Sequence, residues 1–304
     1  MFETILCPVC GENKTRVLRK AKYPPGVGEA DLQSHFSASS NHGLWDQLVQ
    51  CLHCEMVYTN PRISADLVSA GYQSAVDPVF VAQNPYRIQT FKRSLKTICS
   101  KIGLKPNKQS ILDIGCAGGA FLKAATDFGF DPIGIEPSRW LCDYGKSTYH
   151  VDARPGFLSD YTFENGYFEW VTLWDVLEHI PNPSQLLDEV FRLLKPGGYC
   201  VLTFPDFGSL ARRMLGEKWP FLLNVHLLYY TQKTLSRHLA QAGFKVLFTK
   251  PHWQDLQLNY VIERASDYIP LLKKINPLLN ALRIGSLPMR YTVGQSLLVA
   301  QKNT

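Results

Sequence analysis

The chain has 304 residues, 45% of them hydrophobic, and its 32 lysines and arginines against 26 aspartates and glutamates give a net charge of +6. This length and composition can bury one full core and a small accessory module, as in an ordinary soluble protein without repeats. No apolar run reaches the roughly 18 residues of a membrane span, and the N-terminus lacks a basic segment followed by an apolar one, so we expect a cytoplasmic protein with neither a membrane helix nor a secretory signal.

Two Cys-x-x-Cys pairs stand near the N-terminus, formed by Cys7, Cys10, Cys51 and Cys54. In a reducing compartment such pairs favour a metal site over disulfides, and four thiolates complete the tetrahedral shell of zinc. Because no coordination position stays open, we expect the zinc to be structural. Replacement of one ligand by His35, His42 or His53 is an alternative, as is a disulfide or redox role.

Residues 86–110 hold seven lysines or arginines and no acidic residue. Apolar residues recur there at helical spacing, which predicts an amphipathic helix that leads into the next strand. Its basic residues form either a solvated face packed on the sheet or a platform for an anionic acceptor or an anionic membrane surface.

The stretch at 111–122 reads Ile-Leu-Asp-Ile-Gly-Cys-Ala-Gly-Gly-Ala-Phe-Leu. An apolar strand that ends in a glycine-rich turn and opens a helix is how a doubly wound sheet builds a nucleotide site. The next strand ends in Glu136, whose carboxylate can accept hydrogen bonds from both ribose hydroxyls. Asp113 suits a cationic ligand better than phosphates, which favours a sulfonium-bearing nucleoside with an amino-acid tail.

The rest of the chain alternates between strand and helix patterns. We expect strands at 110–114, 131–136, 150–153, 168–174, 198–204, 244–250 and 292–301, and helices at 119–128, 138–148, 183–194 and 231–242. Such alternation predicts an α/β fold in which a parallel sheet carries helices on both faces.

Four blocks in this order resemble the class I S-adenosylmethionine-dependent methyltransferases: ILDIGCAGGAFL at 111–122, GIEPS at 134–138, FEWVTLWDVLEHIPNP at 168–183 and LKPGGYCVLTFPD at 194–206. The resemblance covers roughly residues 85–304. It implies a Rossmann-like, doubly wound sheet of seven strands whose last strand is antiparallel. It also implies S-adenosyl-L-methionine as the cofactor and methyl transfer as the reaction.

The same resemblance assigns residues to the cofactor. Asp113, Gly115 and Gly118 would line its methionine end. Glu136 would bind the ribose, and Asp175 would border the methyl group and the acceptor. The full set expected to line the cofactor is Asp113, Gly115, Cys116, Ala117, Gly118, Glu136, Pro137, Phe157, Leu158 and Asp175.

Two positions depart from the family's pattern. Ala117 stands where a glycine is often found, and its methyl side chain is small enough to permit cofactor binding. No aspartate stands at the usual adenine position, which falls at 156–158. We therefore expect backbone and packing contacts to the adenine there.

The N-terminal cysteines, followed by Val-Tyr-Thr-Asn-Pro-Arg at 57–62, are similar to a module found ahead of many bacterial small-molecule methyltransferases, some of which act on sugars. Glu55 stands where such modules often have glycine. The loop at 35–45 either covers the active site or, with the module, only stabilises the fold. We expect the following parts: a zinc-binding module at 1–62, a helical linker or lid at 63–109, and a methyltransferase domain at 110–304 with acceptor-site insertions at about 206–230 and 252–290.

Methyl transfer from a sulfonium requires mainly that donor and acceptor are positioned. A hydroxyl or acidic-carbon acceptor adds the need for a general base, and histidine suits that role at neutral pH. His226, in the first insertion, and His179, one turn past Asp175, are the candidate bases, and Glu178 is a further one. Two tyrosines that follow His226 would orient the acceptor, namely Tyr229 and Tyr230.

We expect the acceptor to be a small molecule, first of all a sugar or a cell-surface glycan-pathway intermediate, either anionic or lipid-linked. An amphipathic stretch at 266–290, broken by Pro270 and Pro277, covers the core or forms a lid, a dimer contact or a peripheral membrane contact. The alternatives are an RNA methyltransferase, prompted by the zinc and the basic helix, and a non-catalytic binding module that keeps the fold. The confinement of the basic excess to one helix argues against nucleic acid.

Overall fold

The structure is a computed structural model, and it describes residues 2–23, 26, 43–266, 270–282 and 284–303. His35 and His42, two of the alternative metal ligands, lie outside the described residues, as does most of the expected loop at 35–45. In the described ranges, none of the helices is at once long and apolar enough to cross a membrane.

The strands in chain order are β1 (Phe2–Glu3), β2 (Thr15–Arg19), β3 (Leu48–Cys51), β4 (Val57–Thr59), β5 (Arg62–Ile63), β6 (Ser110–Ile114), β7 (Asp131–Glu136), β8 (Asp152–Pro155), β9 (Phe168–Trp174), β10 (Leu194–Pro205), β11 (Leu228–Tyr229), β12 (Phe244–Pro251), β13 (Gln254–Gln257), β14 (Pro288–Tyr291) and β15 (Gln295–Lys302). The α-helices are α1 (Ala65–Gln73), α2 (Pro78–Val81), α3 (Asn84–Ile102), α4 (Ala120–Phe128), α5 (Arg139–Tyr149), α6 (Pro183–Leu193), α7 (Leu210–Leu215), α8 (Gln232–Gln241), α9 (Leu258–Ser266) and α10 (Ile275–Ala281). Short 3₁₀ helices lie at Leu158–Asp160, Leu177–His179, Gly216–Lys218 and Pro270–Lys274.

Seven strands form the central sheet, in the order β12-β15-β10-β9-β6-β7-β8. The strands from β6 to β10 pair in parallel, whereas β15 is antiparallel to both β10 and β12. Ile111 and Leu112 in β6 are completely buried, as expected for a central strand covered on both faces. The predicted α/β fold, a doubly wound sheet with its last strand antiparallel, is confirmed.

The amphipathic helix predicted before the first strand of this sheet is α3. Its apolar residues Leu95, Ile98 and Cys99 are buried, and Ile88, Phe91 and Ile102 are partly buried. Two of its basic residues form ion pairs with acids of the protein itself. Lys92 pairs with Asp127, and Arg93 pairs with Asp255. Two of the seven cations at 86–110 are therefore neutralised by neighbouring elements of the same chain.

The N-terminal region and the first insertion share one sheet. Strands β2, β3 and β4 pair antiparallel, and β11, which follows β10 in the chain, adds to the free edge of β4. In that pairing Leu228 lies opposite Tyr58, and Tyr229 lies opposite Val57. A boundary placed at residue 62 therefore divides two parts that are joined by main-chain hydrogen bonds.

The two prolines of the amphipathic stretch at 266–290 do not break a helix. Pro270 is the first residue of a 3₁₀ helix, and Pro277 is the third residue of α10. Backbone N–H groups in the first turn of a helix have no partner within that helix, so a proline is tolerated there. Tyr268 and Ile269, at the start of the stretch, lie outside the described residues.

Candidate functional site

The glycine-rich turn that follows β6 is built from backbone conformations that few side chains tolerate. Gly115 has φ +74° and Ala117 has φ +46°. A Cβ atom on Gly115 would come within 2.7 Å of Val176 Cγ2, so no larger residue fits. The N–H groups of Gly115 and Cys116 both donate to the carbonyl oxygen of Ile135, at 2.8 and 3.1 Å. These bonds fix the turn against the neighbouring strand β7.

Glu136, the last residue of β7, lies beside this turn. Its carboxylate accepts hydrogen bonds from the N–H groups of Ala117 and Ser138, both at 3.0 Å. The residue is only 6% exposed, and this burial raises its pKa to about 7 against the opposing effect of the two N–H groups. The carboxylate is thus held in place, and it changes charge near neutral pH.

Two adjoining cavities lie at the carboxyl ends of the parallel strands. The larger has a volume of about 900 Å³ and the smaller about 70 Å³. The larger volume lies in the range of ~300–1,000 Å³ usual for small-molecule sites. Residues that border both cavities include Phe80, Arg87, Trp174 and Asp175.

Each of the ten residues expected at the cofactor borders one of these cavities or both. The smaller cavity is lined by Asp113, Cys116 and Gly118, the larger by Glu136, Pro137, Phe157 and Leu158, and both by Gly115, Ala117 and Asp175. The fold therefore brings together all the positions that the sequence motifs mark.

The two aspartates of this set are strongly constrained. Asp113 is buried and accepts a hydrogen bond from the Thr172 hydroxyl, and burial raises the pKa of its carboxyl well above the usual value. The Asp175 carboxylate accepts bonds from Thr203 Oγ1 at 2.9 Å and from Gln295 Nε2 at 2.8 Å. Because both of its oxygens are engaged, Asp175 is better suited to shaping the cavity than to accepting a proton.

The segment after β8, where backbone and packing contacts to the adenine are expected, uses two of its N–H groups within the protein. The N–H of Phe157 donates to Asp160 Oδ2 at 2.8 Å, and the N–H of Gly156 donates to the carbonyl oxygen of Glu136 at 2.9 Å. These two backbone donors are therefore already used. The side chains of Phe157 and Leu158 remain as the cavity wall at this position.

His179 and His226 meet at the wall of the larger cavity, with their ring centroids 4.7 Å apart. His179 Nδ1 lies 2.9 Å from the Val225 carbonyl oxygen and 2.7 Å from Tyr72 Oη, and His226 Nδ1 lies 2.8 Å from the Phe221 carbonyl oxygen. Since a carbonyl oxygen only accepts, we assign the proton of each ring to Nδ1, which leaves a lone pair on Nε2. Burial lowers the pKa of His179 to about 4, and burial together with the neighbouring His179 lowers the pKa of His226 well below its usual value.

Glu178 adds an acidic group to the histidine pair. Among the described residues, neither of its carboxylate oxygens has a hydrogen-bond partner, although both are buried. A carboxylate oxygen of Glu178 and a ring nitrogen of each histidine lie within 4.8 Å of one another. Burial raises the pKa of Glu178 well above its usual value, and the charge of Asp175 adds to this shift. At neutral pH the three groups therefore tend to be uncharged.

The tyrosines expected to orient the acceptor lie elsewhere. Tyr229 Oη donates to the Leu223 carbonyl oxygen at 3.0 Å, and Tyr230 Oη lies 3.0 Å from His238 Nδ1. Neither tyrosine borders the cavities. The phenol that does reach the histidine pair belongs to Tyr72 in α1, a residue with no sequence signal beyond its place in a short helix.

Two arginines of the larger cavity were also missed. Arg87 lies in the first turn of α3, its guanidinium stacks 3.9 Å from the ring centroid of Phe80, and its buried Nε has no hydrogen-bond partner among the described residues. Arg264 reaches the cavity from α9. Arg87 belonged to the basic segment at 86–110, and nothing in the sequence separated it from the other cations of that segment.

The four N-terminal cysteines form one compact cluster. The sulfur of Cys7 lies 3.5 Å from that of Cys54, and the sulfur of Cys10 lies 3.6 Å from that of Cys51, with all four atoms within 4.8 Å of one another. These separations exceed the disulfide bond length of about 2.05 Å. They match the sulfur spacing of about 3.8 Å in a tetrahedral site with Zn–S bonds of ~2.3 Å. His53 is exposed and outside the cluster.

Comparison with known proteins agrees with this geometry. The profile of a family described as a methyltransferase domain matches residues 84–248. A ubiquinone biosynthesis O-methyltransferase of Psychrobacter arcticus is 29% identical over 217 residues, which is 59% of this chain and 82% of that protein. The protein of the same name from Coxiella burnetii is 29% identical over 183 residues, 56% of this chain and 77% of its own length.

A solved structure described as a SAM-dependent methyltransferase from Archaeoglobus fulgidus aligns with a TM-score of 0.50 at 18% identity, and it covers 74% of this chain and 100% of that chain. At this identity the likeness shows the fold alone. The family profile, in contrast, matches more than half of the chain and includes the glycine-rich turn, Glu136 and the end of β9. The chain therefore belongs to the methyltransferase domain family, as a class I S-adenosylmethionine-dependent methyltransferase.

Proposed function

We propose that this methyltransferase acts on a hydroxyl oxygen of a small molecule and that His226 is its general base. One observation carries the proposal: a single cavity joins Glu136 and the glycine-rich turn to the pair formed by His179 and His226. The relatives are named as O-methyltransferases, which supports oxygen as the acceptor atom. Their names give no support to a sugar or glycan intermediate, so the proposed class is a hydroxylated small molecule without that restriction.

The residues at the turn suit S-adenosylmethionine. Glu136 would accept hydrogen bonds from the ribose hydroxyls, and the Asp113 carboxyl would face the amino group of the methionine end. Arg87 would bind the carboxylate, which gives its unpartnered, buried Nε an acceptor. When bound, S-adenosylmethionine supplies an activated methyl group.

The chain's own chemistry is then proton transfer and positioning. His226, unprotonated at neutral pH because of its burial, accepts the acceptor's proton on Nε2. Glu178 lies beside it, and its carboxyl oxygens have no hydrogen-bond partner among the described residues, so this group would stabilise the charge that forms on the imidazole. A base in this position contributes about 10²- to 10⁴-fold to the rate.

We further propose that the cysteine cluster binds a structural zinc ion. Its support is the spacing of the four sulfur atoms, which together fill a tetrahedral shell. The RNA alternative gains no support, because Lys92 and Arg93 of the basic helix are paired with acids of the same chain.

A comparison of two buried histidines tests the base. His226→Gln is expected to lower kcat by roughly 10²- to 10⁴-fold with labelled S-adenosylmethionine and a panel of phenolic and sugar hydroxyl acceptors. The affinity for S-adenosylhomocysteine, measured by calorimetry, should stay within about twofold, because His226 is not among the ten residues expected at the cofactor.

The matched control is His238→Gln. His238 is as deeply buried as His226, but it bonds to Ser184 and Tyr230 and does not border the cavities. It should leave kcat within about threefold of wild type. An equal loss of kcat in both variants would mean that the loss reflects packing, and His226 would no longer be the base.

A further inference from the structure

Arg87 and Arg264 place two guanidinium groups on the wall of the larger cavity. Neither arginine takes part in an ion pair within the described ranges. Burial lowers the pKa of Arg87, the Asp175 carboxyl opposes this shift, and the charge of Arg264 adds to it. The two cations repel each other, and the Asp175 charge acts on Arg87.

The carboxylates that border this cavity are already engaged. Asp77 accepts the N–H of the first turn of α2, Glu189 pairs with Arg192, and Glu136 and Asp175 have the partners described above. The positive charge at Arg264 is thus left for a ligand. S-adenosylmethionine brings one carboxylate, which Arg87 would take, so the acceptor is the ligand whose anionic group Arg264 can bind.

Arg264 is held by its neighbours without being neutralised. Its Nε and Nη2 atoms donate to Tyr260 Oη, at 3.1 and 2.8 Å, one helical turn earlier in α9. A guanidinium has five N–H donors, and in the described part of the chain Arg264 uses only these two atoms. The remaining donors are available to an oxyanion in the cavity.

The helix that carries Arg264 is attached to the helix that carries Arg87. Strand β13, directly before α9, receives the Arg93 ion pair at Asp255, and the N–H of Gln257 donates to Gln83 Oε1 at 3.0 Å. Arg264 therefore lies on a helix, α9, whose N-terminal end is fixed to the start of α3 through β13. This attachment positions the guanidinium before a ligand arrives, which lowers the entropy lost on binding.

We propose that Arg264, oriented by Tyr260, binds an oxyanion of the acceptor, a carboxylate or a phosphate. The acceptor is then a small hydroxylated acid, with its charged end at Arg264 and its hydroxyl at His226. This inference rests on the proposed function of the larger cavity as the acceptor site. It adds the charge that the acceptor must carry.

The test uses the full-length protein saturated with S-adenosylhomocysteine, which occupies Arg87. Benzoate, phenyl phosphate and the neutral isostere benzamide are titrated at low ionic strength. Arg264→Gln is expected to weaken the binding of benzoate, phenyl phosphate or both by at least about tenfold, since a charge-assisted hydrogen bond is lost. Benzamide should bind both proteins alike, and Arg264→Lys should keep part of the affinity because it retains the charge.

Arg213→Gln is the matched control, because Arg213 is exposed, outside the cavities, and undergoes the same change of charge. An affinity for S-adenosylhomocysteine within about twofold of wild type shows that the variants are folded. Loss of benzoate binding alone identifies a carboxylate, and loss of phenyl phosphate binding alone identifies a phosphate.

The inference is overturned if neither anion binds the wild type, if Arg264→Gln binds both as well as the wild type does, or if Arg213→Gln loses as much. If S-adenosylhomocysteine binds the wild type while one of these results is obtained, the proposed function stands and only this inference is overturned. Failure of S-adenosylhomocysteine to bind the wild type would instead remove the proposed function and this inference with it.

Discussion

Ala117 and Glu55 both have a left-handed backbone, with φ +46° and φ +65°, and both stand where proteins of this kind often carry glycine. A side chain in this conformation costs roughly 1 kcal/mol relative to glycine. In the sequence both positions depart from the pattern of related proteins. The left-handed backbone is the physical reason why those proteins often have glycine there. At Ala117 the strained backbone also aims its N–H at the Glu136 carboxylate.

Glu136 should make cofactor affinity depend on pH. Its folded pKa of about 7 lies above the usual value, so the unliganded protein holds a proton there at pH 6 and has lost it at pH 8. Ribose hydroxyls bind the ionised form, so binding releases that proton and weakens as the pH falls. S-adenosylhomocysteine should bind about tenfold more weakly at pH 6 than at pH 8, as measured by calorimetry in two buffers of different ionisation enthalpy.

Glu136→Gln provides the comparison. The amide keeps the shape of the side chain but carries no titrating group. The variant should bind S-adenosylhomocysteine more weakly than the wild type does, and its affinity should not vary between pH 6 and pH 8. A wild-type affinity that is flat over this range, or a variant with the same slope as the wild type, would show that another group controls the pH dependence.

At the scale of elements, β11 connects the cysteine cluster to the acceptor side of the cavity. Strand β11 pairs with β4, which begins three residues after Cys54, and the N–H of Leu227 donates to the carbonyl oxygen of Glu178. His226 immediately precedes this segment. The cluster therefore helps to hold the loop that carries the candidate base.

Removal of the proposed zinc ion with a chelator should loosen this loop while the cofactor turn stays ordered. We expect amide hydrogen exchange in residues 222–230 to accelerate by about tenfold or more, because β4 loses the anchor that fixes its position. Exchange in residues 111–122, which lie in the central sheet, should stay within about twofold. Mass spectrometry of peptic peptides measures both segments in one experiment.

Addition of zinc back to the chelated protein is the control and should restore slow exchange in residues 222–230. Equal acceleration in both segments would point to global loosening instead. A purified protein that contains no metal and still exchanges slowly in residues 222–230 would contradict the role given to the cluster.

Regular elements with strong local patterns could be predicted well. Strands β6, β7 and β9 have the expected bounds, because each is a short apolar run buried on both faces and ended by a turn. Contacts between distant segments could not be predicted. The pairing of β11 with β4 depends on residues far apart in the chain, and neither strand alone has a pattern that names its partner.

The candidate site shows the same division. The cofactor positions follow from motifs in which neighbouring residues share one turn, so their placement around the cavities was foreseeable. Tyr72 and Arg264 reach the cavity from helices outside the motif blocks. Their positions depend on how α1 and α9 pack against the rest of the molecule, and the nine residues of each helix do not specify those distant contacts.

At the scale of the molecule, one hydrophobic core includes both the N-terminal region and the central sheet. Met56 and Tyr58 belong to the same buried cluster as Leu112 and Phe204. Arg62 adds a hydrogen bond from Nη1 to the carbonyl oxygen of Pro181, at 2.8 Å. The two parts are therefore expected to unfold together.

A chain that starts at residue 63 should lose cooperative unfolding. It would expose the apolar residues that now contact the N-terminal sheet and leave β11 without a partner, and each buried large side chain is worth roughly 1.5–3 kcal/mol. Urea unfolding followed by circular dichroism should give a broad transition or aggregation in place of a sharp one.

Lys233→Ala is the control for this truncation. It breaks only the exposed ion pair between Lys233 and Glu55 that links the same two parts, and such pairs contribute about 0–1 kcal/mol. Its transition should stay sharp and shift little. A truncated chain that unfolds as sharply as the control would show that the methyltransferase part folds independently.

The position of β15 between β10 and β12 sets an order for events on the ribosome. Strand β12 joins the described central sheet only through β15, which is made later. During that interval β6 to β10 can already pair, while the outer edge of β10 and the whole of β12 stay open. Unpaired strand edges are where nascent chains associate with one another. We therefore expect the nascent chain to need a chaperone most late in translation, after the cofactor turn has been made and before β15 is made.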